Sequence, residues 1–263
     1  MDTPCDVTIR DRVATVTLNR PEIHNAFDET LIAALTAAFV SLDDNDDVRV
    51  VVLAGAGKSF CAGADLSWMK RMAAFGKDEN LADANALAAM LRVVYALSKP
   101  TIARVSGAAY GGGVGLVAAC DIAIAVPDAT FALSEAKLGL IPATIGPYVI
   151  EAIGARQARR YFLTAERFDA AEARRIGLVH EVVAADTVDA RIDAMVATLR
   201  AAGPGAQLEC KALIRGVAHR PIDDDVIDGT AQHIAAVRAS PEGREGVAAF
   251  LDKRKPAWLE QPE

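Results

Sequence analysis

The chain has 263 residues and a formal net charge of −7, with 52% hydrophobic but only 5% aromatic residues. That length suits one large domain, or a domain with a helical appendage, whose core is built from Ala, Val, Leu and Ile. The acidic balance sets up no overall field for nucleic acid or acidic membranes, no apolar run approaches the ~20 residues of a membrane span, and MDTPCDVTIRDR lacks the pattern of a secretory leader. Cys5, Cys61, Cys120 and Cys210 form no Cys-x-x-Cys pair. Their spacing argues against a zinc site or a disulfide framework and for reduced thiols in the cytoplasm. His180, His219 and His233 are isolated, and no metal site is expected.

In chain order, Val7–Arg10 and Val13–Asn19 alternate apolar and polar residues around Asp11-Arg12, the pattern of a hairpin. Asp28 caps a helix over Glu29–Leu42. Val48–Ala54 is an apolar strand and Gly55–Ser59 a turn, followed by helical spacing over Leu66–Ala74 and Glu79–Leu97. Thr101–Val105 reads as a buried strand, Val114–Cys120 as a helix, Ile122–Val126 and Thr130–Leu133 as strands, and Ser134–Pro142 as one helical turn and a loop. From Ala143 onward the pattern is helical throughout, over Ile145–Ile153, Ala155–Leu163, Ala170–Ile176, Asp186–Ala201, Pro204–Gly216, Asp223–Arg238 and Pro241–Lys253. The expected architecture is α/β, with repeated ββα units followed by an all-helical part.

Two strand–glycine–helix junctions stand out. One is Phe60-Cys61-Ala62-Gly63-Ala64-Asp65; the other runs from Thr101–Val105 through Gly111-Gly112-Gly113. Such a junction places bare backbone N–H groups at a helix N-terminus, where a developing oxyanion or a phosphate is stabilised. Two junctions can aim two N–H groups at one atom. The glycines match neither the phosphate-binding loop ending in Lys-Ser/Thr nor the spaced dinucleotide fingerprint.

Taken together, Asn19-Arg20-Pro21 with Asn25-Ala26, Phe60–Leu66, Lys99-Pro100 through Gly113, Cys120-Asp121, Phe131 with Glu135, Leu138-Gly139 with Pro142, and Phe250–Lys255 resemble the crotonase family, the enoyl-CoA hydratase/isomerase superfamily. The resemblance implies a spiral of ββα units over residues 1–200 and a C-terminal helical region, 201–263, that builds homotrimers, commonly paired into hexamers. It implies an acyl-CoA thioester substrate and no cofactor, while the charge of −7 and the lack of a long apolar run argue against a nucleic-acid or membrane partner. The amides of Ala64 and Gly112 would hold the thioester oxygen. CoA would lie along Ile23 and His24, the Ala62, Gly63, Asp65 and Leu66 segment, and Phe250 and Lys253 of a neighbouring subunit.

The sequence departs from the family pattern at one position. Relatives carry two glutamates, and the first falls here on Gly115, which leaves Glu135 as the remaining acid/base and is expected to enlarge the pocket. The runs Ala64–Met72, Val114–Asp121, Leu133–Ile145 and Arg159–Phe168 further resemble bacterial 3-methylglutaconyl-CoA hydratases, which also tend to have glycine there. A distal substrate carboxylate would call for a cation or donor, and Lys70, Arg71 and Tyr148 are the candidates, Lys70 and Arg71 reading equally as solvated helix residues. A single glutamate also suits Δ3,Δ2-enoyl-CoA isomerisation or general short-chain hydration. A non-catalytic CoA- or RNA-binding relative is the reading from another class.

Overall fold

The computed structural model describes residues 3–259. Met1, Asp2 and residues 260–263, at the outer ends of the two expected regions, lie outside the described residues. Strands β1 (Cys5–Arg10) and β2 (Val13–Leu18) form the expected hairpin. Its two turn residues, Asp11 and Arg12, both take left-handed φ (49° and 64°), which matches the twist of the flanking strands. Helix α1 (Glu29–Asp43) follows, capped by Asp28, whose carboxylate accepts from the Thr30 and Leu31 N–H groups.

Three ββα repeats come next. The first has β3 (Val50–Gly55), β4 (Ser59–Cys61), α2 (Leu66–Met72) and α3 (Lys77–Ala96). The second has β5 (Thr101–Val105), β6 (Ala108–Tyr110) and α4 (Gly112–Ala119). The third has β7 (Ile122–Ala125), β8 (Thr130–Ala132), a 3-10 turn at Ser134–Leu138 and α5 (Gly146–Thr164). The first strand of each repeat enters one sheet and the second strand another. With β9 (Arg167–Asp169) and β10 (Glu181–Val182), the sheets run β1-β2-β3-β5-β7-β10 and β4-β6-β8-β9. Within the repeats every pairing is parallel, β3–β5–β7 in the large sheet and β4–β6–β8 in the small one.

This is the expected spiral, with one correction: strands do not end at Ala143. The segments β9 and β10 are three and two residues long, too short to show an alternation. Phe168 of β9 is buried and stacks on Phe131 of β8, with ring centroids 5.6 Å apart, so tertiary packing makes this strand.

Helix α4 lies in the core and is apolar on every side, with Gly113 through Val117 and Ala119 buried. Helices α1 and α3 pack on each other, and α6 (Ala170–Ile176) closes against β9 and β10. Helix α7 (Val188–Ala201) packs against β3, β5 and β7. Helices α8 (Pro204–Val217), α9 (Asp224–Ala239) and α10 (Pro241–Leu251) contact one another, and of their described residues only Ala249 is buried. One ammonium ties them to the core: Lys211 Nζ donates to Asp121 Oδ2 (2.7 Å) and to the Lys99 carbonyl (3.1 Å). No described helix is long and apolar enough to cross a membrane.

Candidate active site

Ligands of parallel sheets gather at the carboxyl ends of the strands. The small sheet has three parallel strands, and each leads within a few residues to a site residue expected from sequence. After β4 the chain reaches Ala64, after β6 Gly112, and after β8 Glu135. The sheet therefore brings the two junctions and the carboxylate to one edge. Close backbone packing shows how tightly they converge: a Cβ on Gly111 would stand 3.9 Å from Gly63 Cα, and one on Gly113 would stand 2.3 Å from the Cys61 carbonyl. Gly111, the residue before α4, has φ 49°, a conformation glycine adopts without strain.

The two amides are presented by different means. Ala64 forms a parallel bridge with Phe27, in which the Phe27 N–H donates to the Gly63 carbonyl (2.7 Å) and the Asp65 N–H to the Phe27 carbonyl (2.8 Å). In that pattern the bridge residue's own N–H points away from the partner strand. Gly112 is the first residue of α4, where N–H groups lack an intrahelical acceptor. Among the described loop and cap hydrogen bonds, neither amide has a protein acceptor. Phe27 serves both. It bridges Ala64, and its buried ring lies 2.8 Å from where a Cβ on Gly112 would stand.

Glu135 sits in the 3-10 turn, partly buried. Its Oε1 lies 3.2 Å from the Cβ position of Gly111, beside the start of α4. Its Oε2 is enclosed and accepts no hydrogen bond. Burial pushes the carboxyl above the ordinary glutamate range, opposed only by a backbone hydrogen bond within the residue. A carboxyl with one enclosed, unpartnered oxygen beside two free amides can take a proton from a bound molecule and return it.

Gly115 does not open the site. A Cβ there would stand 2.3 Å from Ile145 Cγ2 and 2.8 Å from Ile145 Cβ, with Leu91 Cδ2 at 3.6 Å. Ile145 and Leu91 are both buried. The volume that a longer side chain would take is packed, which corrects the expectation of an enlarged pocket.

The remaining residues divide. Ile23 and His24 lie beside Ala62, whose N–H donates to the His24 carbonyl (3.0 Å), and the His24 Nδ1 shares a hydrogen bond with Ser59 Oγ (3.0 Å). Asp65 caps α2 through the Ser67 and Trp68 N–H groups, and Leu66 is exposed. Phe250 is 82% exposed at the end of α10, and Lys253 follows in a left-handed turn. Lys70 is exposed and has no ion pair among the described residues. Arg71 is taken, since its guanidinium donates to both carboxylate oxygens of Glu29 at 2.7 Å. Tyr148 stacks edge-on with Tyr95 (5.2 Å) and lines a cavity with Cys120, Asp121 and Lys211, at the C-terminal end of α4. That is about 12 Å of helix from Gly112.

Sequence reasoning gave no role to the residues that position this edge, although Asn25 stands in one of its motifs. Asn25 is fully buried with φ 55°; its Nδ2 donates to the Ala56 and Ser59 carbonyls (2.9 and 2.8 Å), and its Oδ1 accepts from the Arg20 N–H (2.9 Å). It fastens the loop after β2 to the start of β4. Phe27 and Ile145 are the other two. A lone aromatic or isoleucine at a loop–helix boundary carries no periodic signal.

Residues 8–261 match the enoyl-CoA hydratase/isomerase family. An enoyl-CoA hydratase of Alternaria alternata, AKT6-1, is 35% identical over 256 residues, covering 94% of this chain and 81% of that protein. Among solved structures, an enoyl-CoA hydratase from Shewanella pealeana is 42% identical with a TM-score of 0.95, covering 97% of this chain and 96% of that one. Pseudomonas aeruginosa AtuE is 38% identical with a TM-score of 0.92, covering 98% and 100%. The spiral fold, the converging amides and these likenesses agree: the chain is an enzyme of the enoyl-CoA hydratase/isomerase family.

Proposed function

We propose that the enzyme adds water to a 2-enoyl-CoA thioester with Glu135 as its only acid/base. The Ala64 and Gly112 amides hold the thioester oxygen. Glu135, ionised, takes a proton from water as the water oxygen bonds to Cβ, and the electron pair of the double bond moves to give an enolate on that oxygen. The protonated Glu135 then delivers the proton to Cα. One molecule of water is added, nothing is oxidised, and a single group working from one side favours syn addition. Two donors aimed at the enolate oxygen contribute about 3–4 kcal/mol each in comparable sites. The observation that carries this reading is the enclosed, unpartnered Glu135 Oε2 at the edge where both amides lie free.

For the acyl group, 3-methylglutaconyl-CoA is the first choice. It rests on the resemblance of the runs around Ala64–Met72 and Val114–Asp121, and on Lys70, a cation without an ion pair among the described residues, on the helix that follows Ala64. We assign CoA to the strip formed by Ile23, His24 and Ala62, completed by Phe250 and Lys253 of a neighbouring subunit in a cytoplasmic trimer-based assembly. Supporting that assembly, α8 and α9 bury no residue in the single chain while Ile214, Ile227 and Ile234 are 58%, 52% and 47% exposed.

The test is the loss of enoyl-thioester absorbance with 3-methylglutaconyl-CoA and crotonyl-CoA, for the native chain and Glu135→Gln. The variant should lose about 10²–10⁴ in kcat while acyl-CoA binding is kept. Unchanged turnover would remove Glu135 from the chemistry. Because burial raises the Glu135 carboxyl, its base form is lost as pH falls through a value above the ordinary glutamate range, and the acid limb of kcat/KM should lie there. Faster hydration of crotonyl-CoA would make this a general short-chain hydratase, and turnover of a 3-enoyl thioester alone an isomerase.

A further inference from the structure

We propose that Ile145 is the specificity-determining residue that confines this site to one carboxylate, by standing where a side chain at position 115 would reach the reacting carbons. The inference rests on the reading of Glu135 given above. The Gly115 N–H donates to the Gly111 carbonyl (3.2 Å), so position 115 lies one turn along α4 from the residue that precedes the helix. A Cβ at 111 would meet Glu135 Oε1 at 3.2 Å. A Cβ at 115 would meet Ile145, which caps α5 from the loop that follows the Glu135 turn. A side chain on 115 would therefore start one helical turn along α4 from the backbone that meets Glu135. The 2.3 Å approach of Ile145 Cγ2 and the 2.8 Å approach of its Cβ leave no room even for a methyl group.

Gly115 and Ile145 are thus two halves of one arrangement. Glycine is required because isoleucine fills the space, and isoleucine supplies an apolar wall where a second acid would otherwise project. The chemical result is that the proton taken from water has one resting place, so the group that accepts it must also return it. A site with two carboxylates can divide those tasks. This one holds them together, and the cause is a side chain thirty residues downstream of the glycine that reveals it.

The experiment has two arms. In the first, Gly115→Ala is made in the native and the Ile145→Gly chains, the second of which lacks both the Cγ2 and the Cβ that crowd position 115, and thermal unfolding is followed. Overpacking predicts a drop in Tm of roughly 4–8 °C in the native chain and less than half of that when Ile145 is shortened. An equal drop in both backgrounds would overturn the proposal. In the second arm, Glu135→Gln/Ile145→Gly is compared with Glu135→Gln/Ile145→Gly/Gly115→Glu on crotonyl-CoA, with circular dichroism confirming that each is folded. The installed carboxylate should raise turnover at least ~10-fold. A folded triple variant no faster than its parent would overturn the claim that position 115 faces the reacting carbons. Should Glu135→Gln alone retain full turnover, the reading of Glu135 fails, while the stability arm still judges the packing of Ile145.

Discussion

The two sheets are built from the same three repeats and do different work. The large sheet takes the longer strands β3, β5 and β7, which bury Val50–Leu53, Ile102-Ala103 and Ala123–Ala125. The small sheet takes β4, β6 and β8, three residues each, and its strands lead within three residues to Ala64, Gly112 and Glu135. Long strands give area buried, which scales with stability. Short strands give placement, because a few ladder bonds fix where the chain turns without adding much core. Stability and chemistry are thereby assigned to different halves of each repeat.

Three substitutions probe that division. Gly112→Ala should have the largest effect on rate. Its Cβ would meet the Phe27 ring at 2.8–2.9 Å, moving the start of α4 and one oxyanion donor, at a cost of about 10²–10³ in kcat with crotonyl-CoA. A rate within threefold of native would mean that the small sheet does not place this amide. Leu53→Ala, at a fully buried position of β3, should cost about 2–5 kcal/mol in chemical denaturation and leave kcat unchanged. If kcat fell in step with stability, the two sheets could not be treated separately. Arg71→Ala should be nearly silent. Its pair with Glu29 is about half exposed on both sides, worth about 0.2–1 kcal/mol, and the KM for 3-methylglutaconyl-CoA should not move. A raised KM would return Arg71 to the acyl pocket in place of Lys70.

The same division explains what could be read from the sequence. Strand β5 and helix α6 fall on the residues expected, because four apolar or β-branched residues among five and a helical stripe between Asp169 and Gly177 are strong local signals. The segments β4 and β6 lie between a turn and a glycine junction and beside a glycine cluster, and three residues cannot display a period of two against such surroundings. The chemistry was nonetheless legible there, because glycines and a lone glutamate mark function by residue type rather than by pattern. Geometry that depends on a distant partner was not legible. Nothing near Gly115 announces Ile145, nothing near Arg71 announces Glu29, and the separation of Tyr148 from Gly112 is set by the length of α4. Asn25 stands in a family motif, but its hold on the junction after β4, like that of Phe27, is identified only by what it touches.

Asn25 has a consequence for the enzyme's working life. Asparagine ages when the following backbone nitrogen attacks its side-chain carbonyl and expels ammonia. In the folded chain that nitrogen, on Ala26, donates to the Ile23 carbonyl (3.2 Å), and the amide is held by three hydrogen bonds out of water. Unfolding frees both groups. A molecule that deamidates while open brings back a carboxylate whose oxygen would face the Ala56 and Ser59 carbonyls, where two N–H bonds had been. Such a molecule cannot close its first loop. Each excursion to the unfolded state therefore carries a chance of permanent loss, and one buried amide turns reversible unfolding into a clock.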